Sequence, residues 1–185
     1  AGCFEAEPRF EITIDNADAT GSTATDFNTI NSAPTVAIDA TAVTGLASDD
    51  IDDITTLLTA AADDTKFEDG SFGNLATVVV ADTSLTATEL TDAIDDANTV
   101  TGGTDTLFTI TAVDTITGSE ANFTTLLADE TAEQISITDQ NLTVNDGEIS
   151  VTNANLLNDT TSGTVTATID AGTRVDLSLI HISEP

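Results

Sequence analysis

The chain has 185 residues, 39% of them apolar, with 33 acidic and 3 basic residues for a formal net charge of -30. That apolar share is enough for a packed core, while the charge argues against nucleic acid and against anionic membrane surfaces as partners. Arg9, Lys66 and Arg174 are the only basic residues, so water or bound cations must meet the carboxylates. At seawater-like ionic strength a Debye length of about 4 Å would screen the self-repulsion, and an extracellular, saline setting is expected.

Cys3 is the only cysteine, which rules out a disulfide framework within the chain. Ala1-Gly2-Cys3 matches the end of a lipoprotein processing site, but no apolar region precedes it here. No apolar run is long enough for a spanning helix, so no membrane insertion is expected in this segment. There is no methionine, and the initiator is expected to lie outside the sequence. Residues 1–9 form an undefined N-terminal edge. Residues 10–176 are expected to be a repeat region with an inserted loop at 61–73.

Short alternating apolar stretches recur along the chain and predict strands at Ile12–Ile14, Val36–Ile38, Val78–Val80, Phe108–Ile110, Ile135–Ile137 and Val165–Ile169. They recur about every 28 residues, apart from one long interval that holds the Asp- and Gly-rich stretch 61–73. Between strands the apolar period becomes helical. Ser48 is expected to cap a helix burying Ile51, Ile54, Leu57, Leu58 and Ala61. Thr86 and Glu89 form a capping box leading into Leu90 and Ile94, and Ser119 precedes Phe123, Leu126 and Leu127. Only a turn or two of helix is expected around Phe27 and Ile30, and around Leu156 and Leu157. Leu142 and Val144 are expected to face Ile149 and Val151 in a hairpin across Asn145-Asp146-Gly147.

Strands one period apart, each preceded by a helical return, predict an α/β repeat solenoid with one parallel strand per unit and short helices outside. The rival architecture is a β-solenoid with short helical turns. Thr44-Gly45 leading to Thr55-Thr56-Leu57-Leu58 echoes Thr117-Gly118 leading to Thr124-Thr125-Leu126-Leu127. Together with the Asp-x-x-Leu-Thr stretches ending at Thr86 and Thr143, this resembles the repeat regions of long, acidic, Thr- and Ala-rich proteins of marine cyanobacteria and related bacteria. The resemblance covers Val36 to Asp170. It implies a cell-surface or secreted structural or adhesive protein, in the manner of giant adhesins and motility-associated surface proteins. The last nine residues, Leu177 to Pro185, resemble the translated read-through of a transposase sequencing adapter. They are expected to be a non-native tail, and its His181, the only histidine, to carry no function.

Chemistry is sparse. Without His181 there is no imidazole, and Cys3 has no base partner, so Ser–His and Cys–His catalysis are excluded and no enzyme is expected. Trp and Tyr are absent, which weakens a glycan-binding surface. Gly102-Gly103-Thr104-Asp105 matches the start of a calcium-binding nonapeptide but lacks its third glycine and does not recur. Thr164, Thr166 and Thr168 make one regular threonine strand, and the other strands place other residues at the matching positions, which argues against an ice-binding face. Asp15, Asp39, Asp82, Asp114, Asp139 and Asp170 follow or flank successive strands. Stacking would align several of them as a carboxylate ladder that calcium could neutralise. The competing account is that they are turn formers. The expected function is a non-enzymatic structural or adhesive module, stiffened by calcium, whose partners are neighbouring repeats of the same parent chain. The alternative is a calcium-dependent module engaging glycans or other cells.

Overall fold

The computed structural model describes residues 12–14, 21–33, 36–63, 65–103 and 105–170. The expectations for the N-terminal edge, for Asp15 and for the tail at 177–185 lie outside the described residues. These residues form a mixed α/β fold with nine strands and five helices.

In chain order the elements are β1 (Ile12–Thr13), α1 (Ala24–Asn31), β2 (Ile38–Asp39), β3 (Gly45–Asp49), α2 (Ile51–Ala61), β4 (Thr77–Val80) and β5 (Ser84–Thr86). They continue with α3 (Ala87–Thr101), β6 (Leu107–Thr109), β7 (Thr115–Ser119), α4 (Glu120–Thr131), β8 (Asn141–Asp146), α5 (Val151–Thr160) and β9 (Val165–Thr166). The strands make three sheets with orders β1-β2, β3-β4-β6 and β5-β7-β8-β9. Every pairing is parallel, and single parallel bridges join Ile38 to Phe67, Phe108 to Ile135 and Ile149 to Ile169. Parallel neighbours need a long crossover, and here each crossover contains one helix. The helices pack in chain order, α1 on α2, α2 on α3 and α3 on α4.

Local sequence accounts for the helix starts. Thr23, Thr86 and Ser119 each accept a hydrogen bond from the third helical N–H, and Asp26, Glu89 and Asn122 reach back to close a capping box. The α2 face expected from periodicity is the observed one, with Ile54, Leu57 and Leu58 fully buried. Each such side chain contributes roughly 1.5–3 kcal/mol through burial. Strand residues from Ile38 to Ile149 join these helix faces in one continuous core.

Four expectations are corrected. First, Ile135–Ile137 makes only a single bridge through Ile135 in place of the expected strand, and three segments carry a second strand, β3, β5 or β7, beside the one read from the apolar triplets. Their Gly-, Ser- and Thr-rich sequences hide it. Second, Ser48 lies within β3, and Asp50 occupies the N-cap of α2 without a side-chain capping bond. Third, there is no 142–151 hairpin. Both edges of β8 are already taken, by β7 and β9, while Ser150 caps α5 and turns Val151 into its first residue.

Fourth, the stretch 61–73, expected as an inserted loop, also supplies core residues. Phe67 bridges Ile38 in parallel, and both Phe67 and Phe72 are fully buried. Phe72 stacks edge-on against Phe27 at 5.2 Å and against Phe67 at 5.3 Å. It does so from a left-handed backbone (φ 59°), which costs a non-glycine residue about 1 kcal/mol or more. The aromatic contacts offset that strain.

Candidate functional site

The densest group of charges surrounds the start of α2. Asp49 ends β3, Asp50 is the N-cap, Asp52 and Asp53 lie in the first turn, and Asp82 arrives from the loop after β4. The N-terminus of a helix presents unpaired N–H groups and the positive end of the helix dipole, so carboxylates gather there without basic partners. Asp82 Oδ2 accepts from Ile51 N at 2.8 Å. One segment earlier, Asp49 Oδ2 accepts from Thr25 N at 2.7 Å near the start of α1. In both cases a carboxylate from a later segment binds the opening turn of the preceding helix.

The charges feel one another unevenly. Asp50 is pushed above the ordinary carboxylate range, chiefly by the negative charge of Asp82 and then by its own desolvation and the other nearby aspartates. Burial works to raise Asp49, but hydrogen bonds from Thr25, Asp50 and Thr23 outweigh it, and Asp49 lies below the ordinary value. The corner is therefore an anionic surface whose inner carboxylates are held by backbone donors.

Five of the six aspartates expected to stack are described, and each is held by its own local contacts. Asp39 sits in β2 opposite Thr13. Its Oδ1 takes the backbone N–H and hydroxyl of Thr41, at 3.0 and 2.7 Å, and these bonds lower its pKa, the backbone one most. That is the behaviour of a turn former. Asp82 caps α2 as described, and Asp139 Oδ1 accepts from Ser162 Oγ at 3.1 Å. The register Ser84 to Thr115 to Asn141 places Asp114 one residue before its strand, whereas Asp82 and Asp139 lie two before theirs. Asp114 is thus out of step with them, because the connecting turns differ by one residue. Asp170 follows the Ile149–Ile169 bridge and donates its N–H to Ile149 O at 2.9 Å. Asp15 lies outside the described residues. Among the described residues no three acidic side chains converge in a way that could hold a metal ion.

Reading the sequence missed a set of buried polar side chains that join consecutive segments. Ser71 Oγ accepts from Ala40 N at 3.1 Å and donates to Ile38 O at 3.2 Å. Thr106 Oγ1 donates to Leu75 O at 2.8 Å, Gln140 Nε2 to Ile110 O at 3.5 Å, and Thr161 Oγ1 to Gln140 O at 2.6 Å. All four are buried. Each ties a backbone carbonyl of an earlier segment: Ile38 O and Ile110 O also accept from Glu68 N and Val113 N, so there the side chain adds a second bond to a buried acceptor. The only signal in the sequence is a lone polar residue in the turn that leads to a strand, which is also how an ordinary loop looks.

One carboxylate is left strained. Asp129, near the end of α4, has its Oδ2 buried with no hydrogen-bond partner. Burial, with a smaller push from Asp95 on α3, raises its pKa to about 6.

A cleft of about 160 Å³ between α4 and α5 has a floor of Phe123, Leu127, Ile149 and Leu157 and a rim where Asn153 Nδ2 donates to Glu120 Oε1. Cys3 and His181, the only thiol and imidazole in the chain, lie outside the described residues. No helix among the described residues is long and apolar enough to cross a membrane. No protein-family model matches the chain, and no curated protein or solved structure shows significant similarity to it.

Proposed function

We propose that the chain is a non-enzymatic structural or adhesive module of a long extracellular or cell-surface protein, a solenoid of strand–helix units that supplies length, stiffness and an acidic outer face. The observation that carries this reading is the recurrence of the same ties between consecutive segments. Parallel strands pair across a crossover, helices pack on their successors, and a buried polar side chain locks each turn to the one before it. Such an arrangement extends by addition of units, each contacting mainly its neighbours. Asp39, Asp49 and Asp82 act as turn former or caps, which suits a scaffold.

Cations belong to the same proposal. With a net charge of -30, counterions gathered along the acidic face, calcium among them, would reduce self-repulsion and stiffen the module without needing a dedicated cage.

The test is forced unfolding of single full-length chains pulled from their two ends. Near-neighbour stacking predicts stepwise extension, each step releasing one unit of roughly 30 residues, or about 100 Å of contour length. One all-or-none rupture of the whole fold would defeat the modular reading.

A further inference from the structure

The threonines of β9 do not stand alone. β9 pairs with β8, β8 with β7 and β7 with β5, and those three neighbours are not strands read from the apolar triplets. The expectation that other strands break the threonine pattern is therefore corrected. In register the four read Ser84-Leu85-Thr86, Thr115-Ile116-Thr117, Asn141-Leu142-Thr143 and Thr164-Val165-Thr166.

The middle residue of each triplet faces inward. Leu85, Ile116 and Leu142 are buried, and Val165 packs against the core. The flanking residues stand on the opposite face, where Ser84, Asn141, Thr164 and Thr166 are exposed and Thr86, Thr115, Thr117 and Thr143 half-buried. The first irregularity between β7 and β8 comes beyond these triplets, after Gly118. The outward side chains thus form two rows. Neighbours within a row lie about 4.8 Å apart and the rows about 6.6 Å apart, the spacings of adjacent strands and of alternate residues along a strand.

The chemistry of this face sets it apart from the rest of the molecule. Of the 185 residues 33 are acidic, yet none of these eight positions carries a charge. Thr115, Thr117, Thr143 and Thr166 direct no hydroxyl to a partner among the described residues. On the helices, by contrast, Thr29, Thr99 and Thr131 each donate to the carbonyl four residues back. Two members of the rows are engaged locally, Thr86 in its capping box with Glu89 and Asn141 through its amide to Asp114 O.

Threonine is stiff at χ1, so its hydroxyl and methyl hold fixed places on the sheet. Water bound to such rows is ordered in advance, which removes part of the entropy cost of immobilising it at a contact. Open hydroxyls that repeat along two axes, at spacings close to the oxygen repeats on the prism face of ice, fit a ligand that is itself periodic and uncharged.

We propose that the outward face of the β5-β7-β8-β9 sheet binds ice, with the rows through Thr115 and Thr117 at its centre. The inference does not depend on the modular reading above.

The test is partition of the fluorescently labelled full chain into a slowly growing ice crystal, together with osmometry of single crystals. The chain is expected to enter the ice and to hold the freezing point below the melting point, by a gap that widens with protein concentration. Thr117→Tyr and Thr143→Tyr set a large ring in the middle of the rows and are expected to abolish both effects. Aromatic residues are well accepted on strands, and thermal melts check that the variants fold. Thr166→Tyr on the outer strand gives the same loss where less packing is disturbed. Thr59→Tyr, at an exposed position of α2, leaves both effects intact. Exclusion of the unaltered chain from ice overturns the proposal. So does entry undiminished in folded Thr143→Tyr and Thr166→Tyr chains, which would leave these threonines as ordinary strand formers. Forced unfolding reads neither outcome, so the modular reading stands or falls separately.

Discussion

The carboxylate of Asp82 accepts a 2.8 Å hydrogen bond from the backbone N–H of Ile51, 31 residues earlier in the chain. The N-cap residue of α2, Asp50, makes no side-chain capping bond of its own, so part of that duty has passed to the following segment. Asp82→Ala should lower stability by about 1 kcal/mol, the usual cost of losing a cap, as read by urea denaturation. The same variant should bring the Asp50 titration down toward the ordinary carboxylate range, because Asp82 is the main cause of its rise. An unchanged Asp50 titration, followed by NMR, would show that the two carboxylates do not sense each other.

Asp129 should make stability depend on pH in the mildly acidic range. Its folded pKa of about 6 lies above the 3.8 of an unperturbed aspartate, so between these values the folded state binds more protons than the unfolded one. Stability from this group therefore falls as pH rises through that window, and the penalty is complete above it. Asp129→Asn should remove the penalty. Discounted for partial solvent screening, the gain at pH 8 is on the order of 1 kcal/mol, and it vanishes near pH 4. Thermal melts of both proteins across pH 4–8 measure the difference directly, and parallel curves would contradict it.

The aromatic cluster should be the most sensitive point of the core. Phe72 touches both Phe27 and Phe67, and Phe72→Ala keeps the strained backbone while losing the contacts. A loss of roughly 3–5 kcal/mol is expected, the range for deleting a buried aromatic ring. A loss under about 1 kcal/mol would mean that the 61–73 stretch is held by its turns instead of its phenylalanines.

Cations provide the broadest test. Melts of the full chain in chelator, calcium and magnesium at matched ionic strength separate screening from binding. Calcium held as a ligand raises the midpoint beyond magnesium, by about 2.7 kcal/mol at a hundredfold excess over its dissociation constant. Equal responses would assign the effect to the general ion atmosphere.

Much of the architecture was legible because it rests on local chemistry. Thr86 with Glu89 and the buried face of α2 follow from spacing and capping alone, and both stand in the structure. Parallel pairing followed from helical returns between strands. What stayed hidden depends on distant partners. β3 reads Gly-Leu-Ala-Ser-Asp and pairs only because β4 lies beside it. The hairpin across Gly147 has sound turn chemistry, but β8 is claimed on both sides by strands far away in sequence. Stacking of the aspartates assumed equal turn lengths, and a single-residue difference before Thr115 shifts Asp114 out of step.

The buried polar ties also have a direction. Ser71, Thr106, Gln140 and Thr161 each reach back to a turn that precedes them in the chain. Asp49 and Asp82 likewise complete helices already passed. A chain emerging from the ribosome would thus finish each segment only when the next had appeared, so that folding follows synthesis one step behind and a stalled product always exposes one unsealed turn at its growing end.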